Sequence, residues 1–310
     1  MEQTTNTILM IRPVNFRMNE QTAVNNYFQE DLDLKNTEIN SKAQIEFDNF
    51  VQKLRDAGVD VIVIQDDKLL DTPDSIFPNN WVSFHSNGDV VVYPMFAENR
   101  RKERRDEVFI KLEEEGFCIK NIIDYTSAEH EGVFLEGTGS LILDRVNKKA
   151  YCALSPRADE DLLIEFCEDF EYTPVIFTAY QTFEKERLPI YHTNVLMCLG
   201  QDFAVICLES IDDKKERKNV VDHLKSDCKE IITITEEQVT NFAGNMLELK
   251  SKNDERLLVM SQSAYDSLNM EQINKLENYC MIITSSLVTI ETCGGGSARC
   301  MMAEVFLPKG

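Results

Sequence analysis

No stretch of this 310-residue sequence stays apolar for the roughly 18 positions that a membrane-spanning helix needs. Its opening residues, Met1-Glu-Gln-Thr-Thr-Asn6, lack the basic start and apolar run of a secretory signal, so a soluble, cytoplasmic protein is expected. Positive charge is scarce: 32 lysines and arginines stand against 54 aspartates and glutamates, a net charge of −22. Such a field repels phosphate backbones and anionic lipid surfaces, which excludes nucleic acid and membrane as expected partners. Cys-x-x-Cys spacing is absent, and the nine cysteines are an odd number, which argues against a disulfide framework and against a zinc cluster. A phosphate-cradling Gly-x-x-x-x-Gly-Lys loop is also missing, so neither a metal nor a cofactor is expected. What remains is a chain with 43% hydrophobic residues, ample for a large packed core. No feature speaks to oligomeric state, and a homo-oligomer is left open.

A repeat organises the chain. Residues 80–85 and 90–94 read as strands around the turn Ser86-Asn-Gly-Asp89, because Asn-Gly between apolar runs is a strong hairpin signal. A helix over about 99–116 should follow. Similar hairpins are expected to start at residues 136, 192, 245 and 300, at intervals of 56, 56, 53 and 55 residues from residue 80 onwards. The last copy runs out of chain before its second strand, while Thr7-Ile-Leu-Met-Ile-Arg-Pro13 offers an unpaired strand near the start, with a helix after it. The simplest account is an α/β ring of five hairpin-plus-helix units with approximate fivefold symmetry, closed by pairing of the terminal strands. In a radial repeat the equivalent starts point to one end of the axis, so Asn80, Glu136, His192, Asn245 and Cys300 should converge.

A cysteine, a histidine and a glutamate in one pocket are the parts of nucleophilic catalysis, since a thiolate must form and a leaving amine must be protonated. Cys300 follows the flexible segment Gly294-Gly-Gly-Ser-Ala-Arg299, in which the glycines allow backbone to approach a ligand closely. Cys293 is the competing nucleophile, but it lies outside the repeat register and suits packing beneath the loop. His85, His130 and His223 read as a strand residue, a loop residue and a polar helix residue. The charged run Asn99-Arg-Arg-Lys-Glu-Arg-Arg-Asp-Glu107 reads as a solvated first helical turn, with room for one arginine near its start to face the pocket.

Arg12-Pro-x-x-Phe16, Phe77-Pro-Asn-Asn-Trp81, Glu136-Gly, His192 and Cys293-Gly-Gly-Gly-Ser-Ala-Arg-Cys300 together give a family likeness. The sequence resembles the guanidino-modifying (pentein) superfamily of arginine deiminases, dimethylarginine hydrolases and amidinotransferases, and within it the citrulline utilisation hydrolases. The resemblance implies a five-bladed α/β propeller over residues 1–310 as one catalytic domain. It implies that Cys300 attacks the central carbon of a ureido or guanidino group, that His192 serves as acid and then base, and that Glu136 orients His192 or holds substrate. Asn79, Asn80, Asn194 and Asn245 fall among the expected substrate contacts, with Arg157 and then Arg101 favoured for the substrate carboxylate. Family members commonly carry Asp where this chain has Asn80, and an acidic residue where it has Asn194. A carboxylate suits a cationic guanidinium, whereas an amide offers both donor and acceptor to a neutral urea. The expected reaction is therefore hydrolysis of citrulline to ornithine, with ammonia and carbon dioxide. Arginine deimination or amidino transfer is the alternative reaction. A non-catalytic pentein and a generic cysteine peptidase are the other classes.

Overall fold

The computed structural model describes residues 2–310, and its architecture follows from one local rule repeated along the chain. Among the described residues there are five three-stranded sheets and one two-stranded sheet. In each three-stranded sheet the middle strand pairs antiparallel with one neighbour and parallel with the other. Val82–Phe84, Asp89–Val92 and Asn121–Asp124 form the first. Ile142–Asp144, Lys149–Leu154 and Thr173–Thr178 form the second, and Met197–Leu199, Phe203–Ile206 and Glu230–Thr233 the third. Leu247–Lys250, Arg256–Ser261 and Met281–Ser285 form the fourth. The fifth joins the ends of the chain: Ala303–Glu304 pairs antiparallel with Thr7–Arg12, which pairs parallel with Asp60–Gln65.

The repeating unit is thus hairpin, helix and a third strand, a correction to the hairpin-plus-helix unit expected from sequence. A parallel partner can be reached only through a crossover, and the helices Asn36–Asp56, Asp106–Glu114, Glu160–Phe170 and Lys214–Ser226 supply it. Each third strand lies at a sheet edge. Asn121–Asp124, for example, buries none of its four residues fully, so the apolar signal of a strand is diluted there. Two further expectations change. The helix foreseen over 99–116 is broken by extended backbone at Arg104 and Arg105, leaving a 3-10 helix at Glu98–Glu103 and an α-helix at Asp106–Glu114. A hairpin outside the repeat, Tyr180–Phe183 with Glu186–Pro189, was not foreseen.

The hairpins also begin differently from the sequence expectation. Asn80 closes a 3-10 turn at Pro78–Asn80, Glu136 and His192 are the N-caps of the short helices Gly137–Ser140 and Thr193–Leu196, and Cys300 lies in the 3-10 turn Ala298–Met301. The strand proper starts only after these turns. The consequence is convergence: the turn bearing Asn80 packs against the turns of Gly137–Ser140 and Ala298–Met301, and Gly137–Ser140 packs against Thr193–Leu196. First strands also pack on one another, as Ile142–Asp144 does on Met197–Leu199 and Val82–Phe84 on Ala303–Glu304.

Apolar residues on the helices seal the outer faces of the sheets. Ile39, Ala43, Phe47, Phe50 and Leu54 recur at helical spacing on Asn36–Asp56 and are buried with Ile8, Met10 and Val61. Each such side chain contributes about 1.5–3 kcal/mol by leaving water. No helix among the described residues is long and apolar enough to cross a membrane.

Candidate active site

Cys300 is 3% exposed, and its sulfur is surrounded by amides. Asn245 Nδ2 lies 3.2 Å from Cys300 Sγ and Asn194 Nδ2 lies 3.4 Å from it. The orientation of Asn245 is fixed from both ends, because its Nδ2 donates to Asn194 O at 3.0 Å and its Oδ1 accepts from Arg299 N at 3.0 Å. Asn194 spends only its donor: its Oδ1 is buried without a hydrogen-bond partner. The glycines before Cys300 serve packing, which differs from the ligand approach expected of them. A Cβ on Gly294 or Gly296 would stand 2.8 Å or 3.0 Å from Phe77 Cζ, so the aromatic ring occupies the space that side chains would take.

The other half of the site holds charge. His192 Nε2 lies 2.7 Å from Glu136 Oε2, and both residues are buried. Glu136 Oε1 accepts from Phe96 N at 3.0 Å, while Arg157 Nη1 and Arg100 Nη1 stand 3.6 Å and 4.0 Å from Oε2. Burial opposes the charge on Glu136, but Arg157, His192 and Arg100 outweigh it and hold the carboxyl at about 2. Burial lowers His192 to about 4, against the pull of Glu136. At neutral pH the imidazole is therefore neutral beside an ionised carboxylate. That pairing places the ring proton on Nε2 and leaves Nδ1 as the acceptor. Gly139 keeps room beside it, since a Cβ there would meet Asn80 Nδ2 at 2.4 Å and His192 Nδ1 at 3.0 Å.

Between the halves runs a chain of polar side chains that joins Asn79 and Asn80, expected at the site, to Arg100. Arg100 is 2% exposed and pairs with Glu103 through Nε at 2.9 Å and Nη2 at 3.0 Å. Its Nη1 donates to Asn80 Oδ1 at 2.7 Å, and Asn80 Nδ2 donates to Asn79 Oδ1 at 3.0 Å. The run 99–107 is thus not simply a solvated turn: Asn99, Arg100 and Glu103 are buried. The i,i+3 spacing of Arg100 and Glu103 was the available signal, and mixed charge concealed it.

Comparison with known proteins follows this geometry. The family model of eukaryotic N,N-dimethylarginine dimethylhydrolases matches residues 12–307. The chain belongs to this family. It is accordingly a member of the pentein superfamily and a hydrolase on guanidino C–N bonds. No curated protein matches it. Among solved structures, it superposes on apo ArgZ, an arginine dihydrolase from the ornithine–ammonia cycle in Cyanobacteria, with a TM-score of 0.73 at 17% identity. That match covers 98% of this chain and 41% of ArgZ, so the chain spans about two fifths of that protein. The N-terminal domain of ArgZ bound to product gives a TM-score of 0.68 at 18% identity, covering 97% of this chain and 99% of the domain. A dimethylarginine dimethylaminohydrolase adduct with S-methyl-L-thiocitrulline gives 0.65 at 14% identity, covering 97% and 99%. At these identities the superpositions bear on the fold alone.

In this pentein the two arginines singled out from sequence lie in different settings. Arg157 is buried, donates to Thr22 O at 2.9 Å and to Asn25 Oδ1, and stacks 4.9 Å from the centre of the Tyr191 ring. Arg101 is held by Met95 O at 3.0 Å and Glu129 at 3.4 Å, against the Phe134 ring and partly in solvent. Asn241 is exposed and Asn245 buried. Cys293 packs in the core, where burial pushes its thiol up to about 11. His85 is buried against Phe170 and Phe166, His130 is exposed, and His223 lies on Lys214–Ser226. Asp74, Tyr191, Thr22 on the short helix Glu20–Ala23 and Asn25 just after it join the site with no spacing signal, because they come from short segments that only the fold brings near. Among the described residues no group of three or more His, Cys, Asp and Glu side chains is placed to hold a metal ion.

Proposed function

We propose that this pentein hydrolyses the ureido group of a small amino acid, citrulline, to give ornithine, ammonia and carbon dioxide. The observation that carries the reading is the amide surround of Cys300: Asn194 and Asn245 face the sulfur, and Asn80 and Asn79 stand on the adjoining turn. Amides satisfy a neutral group that both donates and accepts, while a guanidinium, which only donates, calls for carboxylates.

Cys300 is the nucleophile, and its thiol proton passes to His192 Nδ1. The thiolate is the form that attacks. The Sγ–C bond forms, the C–N bond to ornithine breaks, and the leaving nitrogen takes the proton from His192. A carbamoyl-thioenzyme remains. Water then adds to its carbon with loss of a proton to His192, the C–S bond breaks, and carbamic acid departs and splits into ammonia and carbon dioxide. Glu136 holds the imidazole in the tautomer this cycle needs. Arg157, and then Arg101, bind the substrate carboxylate.

The same reading takes the five sheets as the blades of a closed propeller and residues 1–310 as one catalytic domain. The pairing of Thr7–Arg12 with Ala303–Glu304 supports it. A cytoplasmic setting fits nine free cysteines. The second reading is hydrolysis of a guanidino amino acid. It is favoured by the matched family, named for N,N-dimethylarginine, and by Asp74 Oδ1, a buried acceptor without a partner.

One experiment separates the two. Purified protein is incubated with citrulline, arginine, agmatine and N,N-dimethylarginine, and ornithine, urea, citrulline and ammonia are measured. Ornithine from citrulline is expected. Turnover of arginine or dimethylarginine with citrulline untouched defeats the proposal.

A further inference from the structure

Arginine can only donate hydrogen bonds, and that single fact fixes the direction of every bond in the chain that starts at Arg100. The Asn80 atom 2.7 Å from Arg100 Nη1 must be oxygen, so Asn80 Nδ2 is left to donate, and the Asn79 atom that receives it at 3.0 Å must be oxygen too. The relay therefore ends on Asn79 Nδ2, which is buried without a hydrogen-bond partner on a residue that is 0% exposed. Flipping either amide to cure the orphan would set two donors face to face. Arg100 itself cannot yield, being held by Glu103 and by Phe77 O at 3.1 Å. Asn79 sits on the turn Pro78–Asn80, which packs directly against Ala298–Met301, the turn that carries Cys300.

Buried donors are rarely left unpaired, and one that is left so beside a nucleophile asks for an acceptor from the ligand. The orphans of this cluster are complementary: Asn79 Nδ2 donates, while Asn194 Oδ1 and Asp74 Oδ1 accept. A ureido group has one carbonyl oxygen and three N–H bonds. A guanidinium has no acceptor, and would leave Asn79 unpaired.

We propose that Asn79 Nδ2 is a catalytic donor to the ureido oxygen, its polarity imposed by Arg100 through Asn80. The proposal rests on the ureido reading. When Sγ bonds to the ureido carbon, the C=O π pair moves onto oxygen, and the N–H of Asn79 meets the charge that develops there. Expulsion of the ornithine nitrogen restores the C=O. Attack of water on the carbamoyl-thioenzyme builds charge on that same oxygen, and loss of the sulfur discharges it. The donor thus acts twice, and it is oriented before the substrate arrives, which is the condition under which such a donor contributes most.

The test compares Asn79→Asp, which keeps the shape and replaces the donor by an acceptor, with Asn79→Ser, which keeps a donor. Ornithine release from citrulline, thermal melting and the rate of Cys300 alkylation by iodoacetamide are measured for each. With Asn79→Asp, kcat is expected to fall by about 100-fold or more with KM within about threefold of the wild type. With Asn79→Ser, kcat is expected to stay within about tenfold and alkylation within about threefold. Should the aspartate variant not fold, Asn79→Ala takes its place with the same expectation. A kcat for Asn79→Asp near that of the wild type, or equal losses in the serine and acidic variants, overturns the role of Asn79. Wild-type protein that releases no ornithine from citrulline overturns the ureido reading instead, before any variant is compared.

Discussion

Around His192 the protein concentrates charge, with His192, Arg157 and Arg100 each within 4.0 Å of Glu136 Oε2. Around Cys300 the side-chain atoms that touch the sulfur belong to two amides. The division has a chemical sense. The half that must hold one tautomer through a proton-transfer cycle is locked by ions, and an ion pair buried this deeply resists rearrangement. The half that must meet a neutral group, form a thioester-like bond and release it is lined by dipoles that can serve either charge state. Asn194 belongs to both, since it follows His192 by two residues on the same short helix and donates to the sulfur.

Removing the sulfur is the bluntest way to break that comparison. Cys300→Ala should lose at least about 10⁴-fold in ornithine release while melting near the wild-type temperature. Activity surviving in it would move the chemistry elsewhere. Glu136→Gln attacks the charged half, leaving Arg157 and Arg100 without their shared counter-ion. A loss of about 3–5 kcal/mol in urea-unfolding stability is expected, together with about 10³-fold in kcat as His192 loses its orientation. Stability equal to wild type would show that the ions are not coupled as described.

Acid should probe the same half without mutation. The folded pKa of His192, about 4, lies below its usual 6.5, so its neutral form contributes stability that is fully present above 6.5 and lost as pH falls towards 4. Glu136, at about 2 against an ordinary 4.5, follows the same sign, its share present above 4.5 and lost as pH falls towards 2. Melting temperature should therefore decline from about pH 6 downwards, while kcat/KM holds until His192 protonates near pH 4. A fall of kcat/KM with a midpoint at 6.5 would contradict the neutral, buried imidazole.

The amide half is tested by Asn194→Asp, which removes one donor from the sulfur and places a carboxylate there. Alkylation of Cys300 by iodoacetamide at pH 7 should slow about tenfold, because a like charge disfavours the thiolate. An unchanged rate would deny the amides any role at the sulfur. Smallest of all should be Cys293→Ala, expected to cost about 1 kcal/mol of unfolding free energy and to leave kcat within about twofold. A large loss of kcat there would make Cys293 part of the site.

Much of this was legible in the chain because the repeat is written in hairpins. Asn-Gly at 87–88 and the even spacing of residues 80, 136, 192, 245 and 300 bring the helical turns of the site together, even though those residues precede their strands. The third strands escaped, because edge strands such as Asn121–Asp124 bury too little to show an apolar pattern. Arg100 escaped because a buried arginine looks like its solvated neighbours until a partner such as Asn80 is seen beside it. Asp74 and Thr22, the latter on the short helix Glu20–Ala23, escaped because such short segments acquire their contacts only from the completed fold. Asn245, expected to contact substrate, could not be seen from sequence to hold Arg299 N and the sulfur as well.

The pairing of Ile8 with Glu304 joins residues 296 positions apart, and Glu304 lies four residues beyond Cys300. The turn that presents the sulfur therefore gains the support of this pairing only once residues 303–304 have been made. A chain arrested short of residues 303–304 holds the histidine and glutamate but no anchored nucleophile. Slow closure of so distant a contact is the step at which folding of the active enzyme should wait.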